Sequence, residues 1–198
     1  MRLNWAERWV VNNPFRIATQ IVEIDLFKRM ATIGEDASIL EFGCGRGAGA
    51  RLILKKFRPS SLHAMDLDIK MVEHAKTYLS EEELERIRLY AGDVQEIPFN
   101  DATFDIVFSF GILHHVIDWR SSLREIARVL KKEGLYIIEE LYPSLYHNVI
   151  TKRILLHPEK DRFYGDDLRE AMEQAGLPLM RSLESKYLGI LGVARKKM

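Results

Sequence analysis

The sequence predicts an α/β fold, in which a doubly wound, mostly parallel seven-stranded sheet ends in a C-terminal antiparallel hairpin. Along the 198 residues, short apolar runs alternate with segments of helical periodicity, which is typical of strands joined by crossover helices. The last two apolar runs, 177–187 and 188–196, are joined with almost no loop. Strands joined so closely must pair antiparallel. The length favours one domain that covers residues 1–198.

The elements follow from local patterns. Nearly continuous apolar runs predict strands over 38–43, 62–67, 87–93, 104–111 and 135–141. Helical periodicity predicts helices over 14–30, 47–57, 70–79, 119–132 and 166–176. Ser80 and Glu83 have the spacing of a capping box and predict a further short helix, and Asp118 is a candidate N-cap. Residues 142–165 are predicted to be irregular.

The composition excludes several kinds of protein. The chain has 29 basic and 29 acidic residues, and this balance argues against a strongly basic nucleic-acid surface. It has no run of 18 apolar residues, so no membrane span is predicted. Charges lie where a signal peptide needs an apolar stretch, and the single cysteine, Cys44, excludes an internal disulfide. We expect a cytoplasmic protein without a metal centre and leave its oligomeric state open.

A glycine-rich turn lies between the first predicted strand and the following helix. Gly43, Gly45 and Ala48 fit the pattern G-x-G-x-x-A, and Asp66 ends the next strand about 20 residues later. A carboxylate at that point can accept hydrogen bonds from ribose hydroxyls, while the neighbouring Asp68 can do the same or cap a helix. Three interpretations remain open here: a structural turn, a dinucleotide site, or a site for another adenosine compound.

An ordered set of four motifs distinguishes these interpretations. The motifs are "ILEFGCGRG", "MDL", "AGDVQEIPFNDATFDIVFSFGILHHV" and "LREIARVLKKEGLYIIEE". Together they resemble the class I S-adenosylmethionine-dependent methyltransferases, and in particular the group that contains the ubiquinone and menaquinone biosynthesis enzymes. The resemblance covers roughly residues 36–141. It implies a Rossmann-like methyltransferase fold, S-adenosyl-L-methionine as cofactor and S-adenosyl-L-homocysteine as product.

The resemblance also implies roles for individual residues. Glu41, Gly43 and Gly45 would line the methionine part of the cofactor, and Cys44 is counted with these cofactor-binding residues as a small buried side chain within the turn. Asp66 would hold the ribose hydroxyls, and Leu67 would pack on the adenine. At the adenine edge, Asp93 would accept from the amino group and the Val94 N–H would meet a ring nitrogen. Phe110 would approach the methionyl tail.

The methyl acceptor is expected to be a small molecule, and no catalytic residue is common to the whole family. His115 is a candidate general base, with a structural histidine as the alternative, and one of Glu139 and Glu140 should face the site. The N-terminal helical segment 1–31 and the insert 142–165 are predicted to form the acceptor lid; they contain Trp5, Trp9, Tyr142, Tyr146 and His147. Two other functions stay open: an NAD(P)-dependent oxidoreductase and a non-catalytic S-adenosylmethionine-binding module.

Overall fold

The computed structural model describes residues 14–146 and 162–198. Its centre is one seven-stranded sheet with the order β3-β2-β1-β4-β5-β7-β6. Strands β1 to β5 are parallel, β7 is antiparallel to β5, and β6 is antiparallel to β7. The strands are β1 (Ser38–Phe42), β2 (Ser61–Asp66), β3 (Ile87–Ala91), β4 (Phe104–Phe110), β5 (Leu130–Leu141), β6 (Leu179–Ser185) and β7 (Gly189–Arg195). The predicted parallel sheet and its terminal hairpin are confirmed.

Helices cover both faces of this sheet. They are α1 (Pro14–Met30), α2 (Ala48–Phe57), α3 (Ile69–Tyr78), α4 (Glu81–Arg86), α5 (Trp119–Val129), α6 (Pro143–Tyr146) and α7 (Gly165–Gln174), with a 3-10 turn at Leu113–His115. The predicted caps are present. Ser80 and Glu83 form the capping box of α4, and the Asp118 carboxylate accepts from the Ser121 N–H at 2.9 Å. These bonds satisfy amides that a helix start leaves without an intrahelical partner.

Two hydrophobic cores flank the sheet. One lies between the sheet and helices α1 and α2, where Ile24, Phe27 and Ile53 pack with residues of β1 and β4. The other lies on the opposite face, where Leu123 and Ile126 of α5 pack with residues of β1, β4 and β5. Because both faces are covered, the central strands read as continuous apolar runs, which is why the sequence predicts them well.

One predicted boundary is wrong. The helix predicted over 119–132 ends at Val129, and β5 begins at Leu130 rather than at residue 135. Leu130 pairs with Phe104 of β4, and the register shifts before Leu135 pairs with Ile106. The Lys131 ammonium also contacts the Asp105 carboxylate at 2.9 Å. Pairing with a buried strand therefore overrides the helical periodicity of this segment.

The chain enters the described fold at the carboxyl ends of the strands. Arg16, in the first turn of α1, donates to the Glu139 carboxylate near the end of β5 at 2.7 Å. The two sides of the insert meet at the same edge, since the rings of Tyr142 and Tyr164 lie 5.9 Å apart. Residues 1–13 and 147–161 lie outside the described residues, and so do Trp5, Trp9 and His147 of the predicted lid.

Gly189 gives a stability prediction for the hairpin. Its φ is 152°, and a Cβ at this position would lie 2.0 Å from the Glu140 carbonyl oxygen on the paired strand. The substitution Gly189→Ala should therefore lower the free energy of unfolding by at least about 2 kcal/mol, measured by urea denaturation. Gly34→Ala is the matched control, because a Cβ at Gly34 meets nothing within 4 Å. Equal urea midpoints for the two variants would contradict this account of the hairpin.

Candidate functional site

A cleft opens at the carboxyl ends of β1, β2 and β4. This is where the strand order reverses, since β2 lies on one side of β1 and β4 on the other. Open α/β sheets bind ligands at such a point. The cleft encloses about 660 Å³, including the space at its mouth. Its lining residues are Phe42, Gly43, Met65, Asp66, Leu67, Gly92, Asp93, Val94, Gln95, Gly111, Ile112, His115 and Val116.

The glycine-rich turn forms the floor of this cleft. Gly43 has a φ of 68°, a conformation that glycine adopts readily. A Cβ at Gly43 would lie 2.2 Å from the Ile112 Cδ1 atom, so the Ile112 side chain lies directly over this residue. The Cys44 N–H donates to the Met65 carbonyl at 3.0 Å and ties the turn to β2. Gly43 therefore brings its backbone to the cleft in direct contact with the Ile112 side chain.

Asp66 connects the turn with the end of β2. Its carboxylate accepts from the Gly45 N–H and from the Asp68 N–H, each at 2.9 Å. Burial raises the pKa of Asp66, and these two amide bonds oppose that shift. Each carboxylate oxygen can accept a further hydrogen bond, so Asp66 can still receive two hydroxyls from the cleft. The Asp68 carboxylate instead accepts from the Lys70 N–H and caps α3.

Glu41 is a buried carboxyl group behind the turn. It is 1% exposed, and its Oε2 has no hydrogen-bond partner among the described residues. Burial raises the pKa of Glu41 to about 8; the negative charge of Asp66 adds to this shift, and the Ala50 amide opposes it. A buried polar atom without a partner is costly, so this oxygen is suited to receive a cationic donor from a ligand.

Four of the predicted cofactor residues do not line the cleft: Glu41, Cys44, Gly45 and Phe110. Cys44 is buried, and its pKa lies well above the usual value because of burial and the nearby charges of Glu41 and Asp66. Burial and these charges favour the thiol over the reactive thiolate. The Phe110 ring packs on Phe27, with centroids 6.4 Å apart, on the α1 face of the sheet. The ring also lies beside Glu41, since a Cβ at Gly49 would lie 2.0 Å from the Glu41 Oε1 and 3.3 Å from the Phe110 Cδ2, and its approach to the methionyl tail stays a prediction.

The residues predicted at the adenine edge do line the cleft. Leu67, Asp93 and Val94 lie along one wall with Gln95. The Asp93 Oδ1 accepts from the Gln95 N–H at 2.9 Å, and the Gln95 side-chain amide lies 3.3 Å from both Asp93 oxygens. The sequence interpretation did not single out Gln95, although it stands inside the motif "AGDVQEIPF".

The two histidines after β4 have different surroundings. His115 lines the cleft, whereas His114 is buried and its Nδ1 lies 2.7 Å from the Glu140 carboxylate. Glu139 and Glu140 are both buried on opposite faces of β5, and neither lines the cleft. Burial raises the pKa of Glu139 to about 8, although the Arg16 guanidinium opposes this. The proposed role of His115 as a base stays a prediction.

Two further properties concern only the described residues. Within 14–146 and 162–198, no group of three or more His, Cys, Asp or Glu residues is placed to hold a metal ion. The helices in this part of the chain are all too short or too polar to cross a membrane.

Comparison with known proteins agrees with this geometry. The family model described as "Methyltransferase domain" matches residues 40–138. The chain is 30% identical over 122 residues to the uncharacterized methyltransferase YcgJ of Bacillus subtilis. This alignment covers 61% of this chain and 47% of the relative. It is 31% identical over 109 residues to a fatty-acid O-methyltransferase of Mycolicibacterium smegmatis, covering 55% of this chain and 39% of the relative. The matched segment thus spans less than half the length of these curated relatives.

Solved structures show the same fold. A SAM-dependent methyltransferase from Aquifex aeolicus superposes with a TM-score of 0.75 at 17% identity, covering 98% of this chain and 99% of that chain. At this identity the match supports the architecture, while the family model and the curated relatives support the family. The narrower resemblance to the ubiquinone and menaquinone group stays a prediction. The glycine turn, the acids at the ends of β1 and β2, and the family match together show that the chain belongs to the class I S-adenosylmethionine-dependent methyltransferases.

Proposed function

We propose that this chain transfers a methyl group from S-adenosylmethionine to a small, predominantly apolar acceptor. The observation that carries this proposal is the pair of acids at the glycine turn. Asp66 faces the cleft, and Glu41 lies behind the turn with a buried oxygen that lacks a partner among the described residues. S-adenosylmethionine carries vicinal ribose hydroxyls and an ammonium group, which are the two kinds of donor that these acids would receive.

The residues of the cleft fit this cofactor. Asp66 would accept from the ribose hydroxyls, Leu67 and Val94 would flank the adenine, and Asp93 would accept from its amino group. The Glu41 carboxylate would accept a hydrogen bond from the methionine ammonium group, which would lie at the glycine turn. No lysine or arginine lines the cleft within the described part of the chain. Backbone amides at a helix N-terminus can hold a pyrophosphate without such residues, so NADH binding has to be tested separately.

Methyl transfer requires the protein mainly to position the reactants. When bound, S-adenosylmethionine would supply an electrophilic sulfonium methyl for in-line transfer to the acceptor. The chain's own residues hold the cofactor at Asp66 and Glu41, and they exclude water from the turn with Ile112. Where the acceptor must lose a proton, the His115 imidazole in the cleft would take it.

The surface around the cleft supports an apolar acceptor. Several large apolar side chains are exposed near the carboxyl edge of the strands: Leu67, Ile69, Ile117, Tyr164, Tyr187 and Leu188. Of these residues Leu67 lines the cleft, and we propose that the apolar groups along this edge provide an approach for an apolar acceptor. The fatty-acid O-methyltransferase among the relatives has an acceptor of this class by its name. We further propose that the segments 1–31 and 142–165 cover the acceptor.

An acceptor screen tests the proposed function. The full chain would be incubated with S-adenosylmethionine and with panels of fatty acids, isoprenoid phenols, soluble amines and short peptides, and release of S-adenosylhomocysteine would be measured. We expect turnover with one of the apolar panels and none with the peptides. Turnover confined to peptides would contradict the proposed acceptor class. Tight cofactor binding with no turnover in any panel would favour a non-catalytic binding module.

His115→Ala should lower turnover with the acceptor so found by roughly 10²-fold if His115 removes a proton. The affinity for S-adenosylhomocysteine should change only a few fold, because the product contacts proposed for Asp66, Asp93 and Glu41 remain. His74→Ala is the control, since His74 is an exposed residue of α3. Steady-state kinetics and calorimetry would separate the two effects. Unchanged turnover would show that His115 is a structural residue of the cleft wall.

A further inference from the structure

One wall of the cleft is the short segment that follows β4. Gly111, Ile112, His115 and Val116 all line the cleft, and the 3-10 turn Leu113–His115 lies within this segment. The Ile112 side chain rests on Gly43, as the 2.2 Å separation between Ile112 Cδ1 and a Cβ built on Gly43 shows. The position of this segment therefore sets the gap between the wall and the glycine turn.

Glu140 lies directly beneath this wall. It is the penultimate residue of β5 and has no exposed surface. Its Oε1 accepts from the Ile112 N–H at 2.9 Å and from the Leu113 N–H at 2.7 Å. Its Oε2 accepts from the His114 N–H at 3.4 Å and lies 2.7 Å from the His114 Nδ1. Because a carboxylate only accepts, the His114 Nδ1 carries the proton in this pair.

The Glu140 carboxylate joins the amides of residues 112–114 to β5, which the backbone hydrogen bonds within the segment do not do. The His115 and Val116 amides donate to the Ile112 and Leu113 carbonyls, so these bonds stay within the segment. The Gly111 N–H donates to the Glu139 carbonyl at 2.8 Å and continues the pairing of β4 with β5. The next three amides along the chain instead converge on the Glu140 side chain.

We propose that Glu140 is a positioning residue, whose carboxylate holds the segment 111–116 at the distance from Gly43 that the methionine arm of the cofactor requires. Charge-assisted bonds from backbone amides to a carboxylate are short and directional, so they fix the segment more firmly than neutral bonds do. Glu140 does not line the cleft and acts through Ile112 and His115. The link to the cofactor rests on the proposed function, whereas the placement of Ile112 on Gly43 does not.

The test compares Glu140→Gln with Glu83→Gln in the full chain. In Glu140→Gln, one oxygen remains to accept from the Ile112 and Leu113 amides. The new amide nitrogen only donates, so it cannot accept from the two His114 donors. Glu83 is the matched control, because it is also a buried carboxylate that accepts a backbone amide, in the capping box of α4. The first readout needs no ligand. In the unmodified protein and in Glu83→Gln, proton NMR should show a strong Overhauser effect between the Ile112 δ1 methyl and the Gly43 α protons.

We expect Glu140→Gln to weaken or abolish this Overhauser effect and to raise the dissociation constant for S-adenosylhomocysteine about tenfold. Glu83→Gln should change neither quantity, even if its thermal midpoint falls by as much as that of Glu140→Gln. An unchanged Overhauser effect and unchanged affinity in Glu140→Gln would overturn the proposal. If the unmodified protein does not bind S-adenosylhomocysteine, the proposed function fails, and the Overhauser effect alone then decides the role of Glu140.

Discussion

Replacing Asp66 with alanine is expected to weaken S-adenosylhomocysteine binding at least tenfold and to leave the fold intact. The Asp66 carboxylate lines the cleft and already holds the Gly45 and Asp68 amides. Hydrogen bonds from a ligand to a charged group contribute roughly 1.5–3 kcal/mol each, so the loss of two such bonds exceeds a tenfold effect. Isothermal calorimetry would give the affinity, and circular dichroism would confirm the fold.

Asp68→Ala is the matched control for this change. Asp68 is the N-cap of α3, and removal of a cap costs about 1 kcal/mol of stability. Its substitution should therefore lower the urea midpoint while the affinity for S-adenosylhomocysteine stays within a few fold. If Asp68→Ala is the damaging change and Asp66→Ala is harmless, the ribose acid has been assigned to the wrong residue.

The pH dependence of Glu41 is the second large effect. The pKa of Glu41 is about 8 in the fold, whereas an exposed glutamic acid titrates near 4.5. The unfolded chain therefore loses this proton first as the pH rises, and the free energy of unfolding should fall between about pH 4.5 and pH 8. A shift of this size corresponds to an effect on the order of 3–5 kcal/mol. Urea denaturation at pH 5 and pH 8 should show a smaller loss for Glu41→Gln than for the unmodified protein.

Cofactor binding should reverse this protonation. An ammonium group beside Glu41 favours the carboxylate, so S-adenosylhomocysteine should release a proton from Glu41 near pH 7. Its affinity should then rise with pH, by up to about tenfold per unit, until Glu41 is ionised in the free protein. Calorimetry in buffers with different ionisation enthalpies measures this proton directly.

Glu41→Gln should release no proton and show a flat affinity between pH 6 and pH 8. Glu139→Gln is the control, because the pKa of Glu139 is also raised to about 8 but its carboxylate contacts Arg16 on α1. That variant should keep the proton release of the unmodified protein. Proton release that persists in Glu41→Gln would place the titrating group elsewhere.

Local signals in the sequence predict most of the fold. Pro14, Ser80, Glu83 and Asp118 mark helix starts because capping and the proline φ depend on neighbouring residues alone. The buried strands are recognised because both faces of the sheet are covered. The glycine turn and Asp66 are also predictable, since their spacing reflects one crossover unit, in which the Asp66 carboxylate accepts from the Gly45 N–H.

The remaining features depend on contacts between distant segments. The early start of β5 follows from the pairing of Leu130 with Phe104, which no local pattern encodes. The packing of the Phe110 ring on Phe27 joins β4 to α1, which lie far apart along the chain. The contact of Ile112 with Gly43 and the bonds of Glu140 join elements that the sequence separates by tens of residues. The local sequence pattern indicates neither the contact of Ile112 nor the hydrogen bonds of Glu140.

The most direct test of this account is a calorimetric titration of the full chain with S-adenosylhomocysteine and, separately, with NADH. The arrangement of Glu41, Gly43, Asp66 and Asp93 predicts saturable binding of one S-adenosylhomocysteine per chain, with release of a proton near pH 7. It predicts no binding of NADH at the same concentrations. Saturable NADH binding without any response to S-adenosylhomocysteine would contradict the assignment of the cleft to this cofactor.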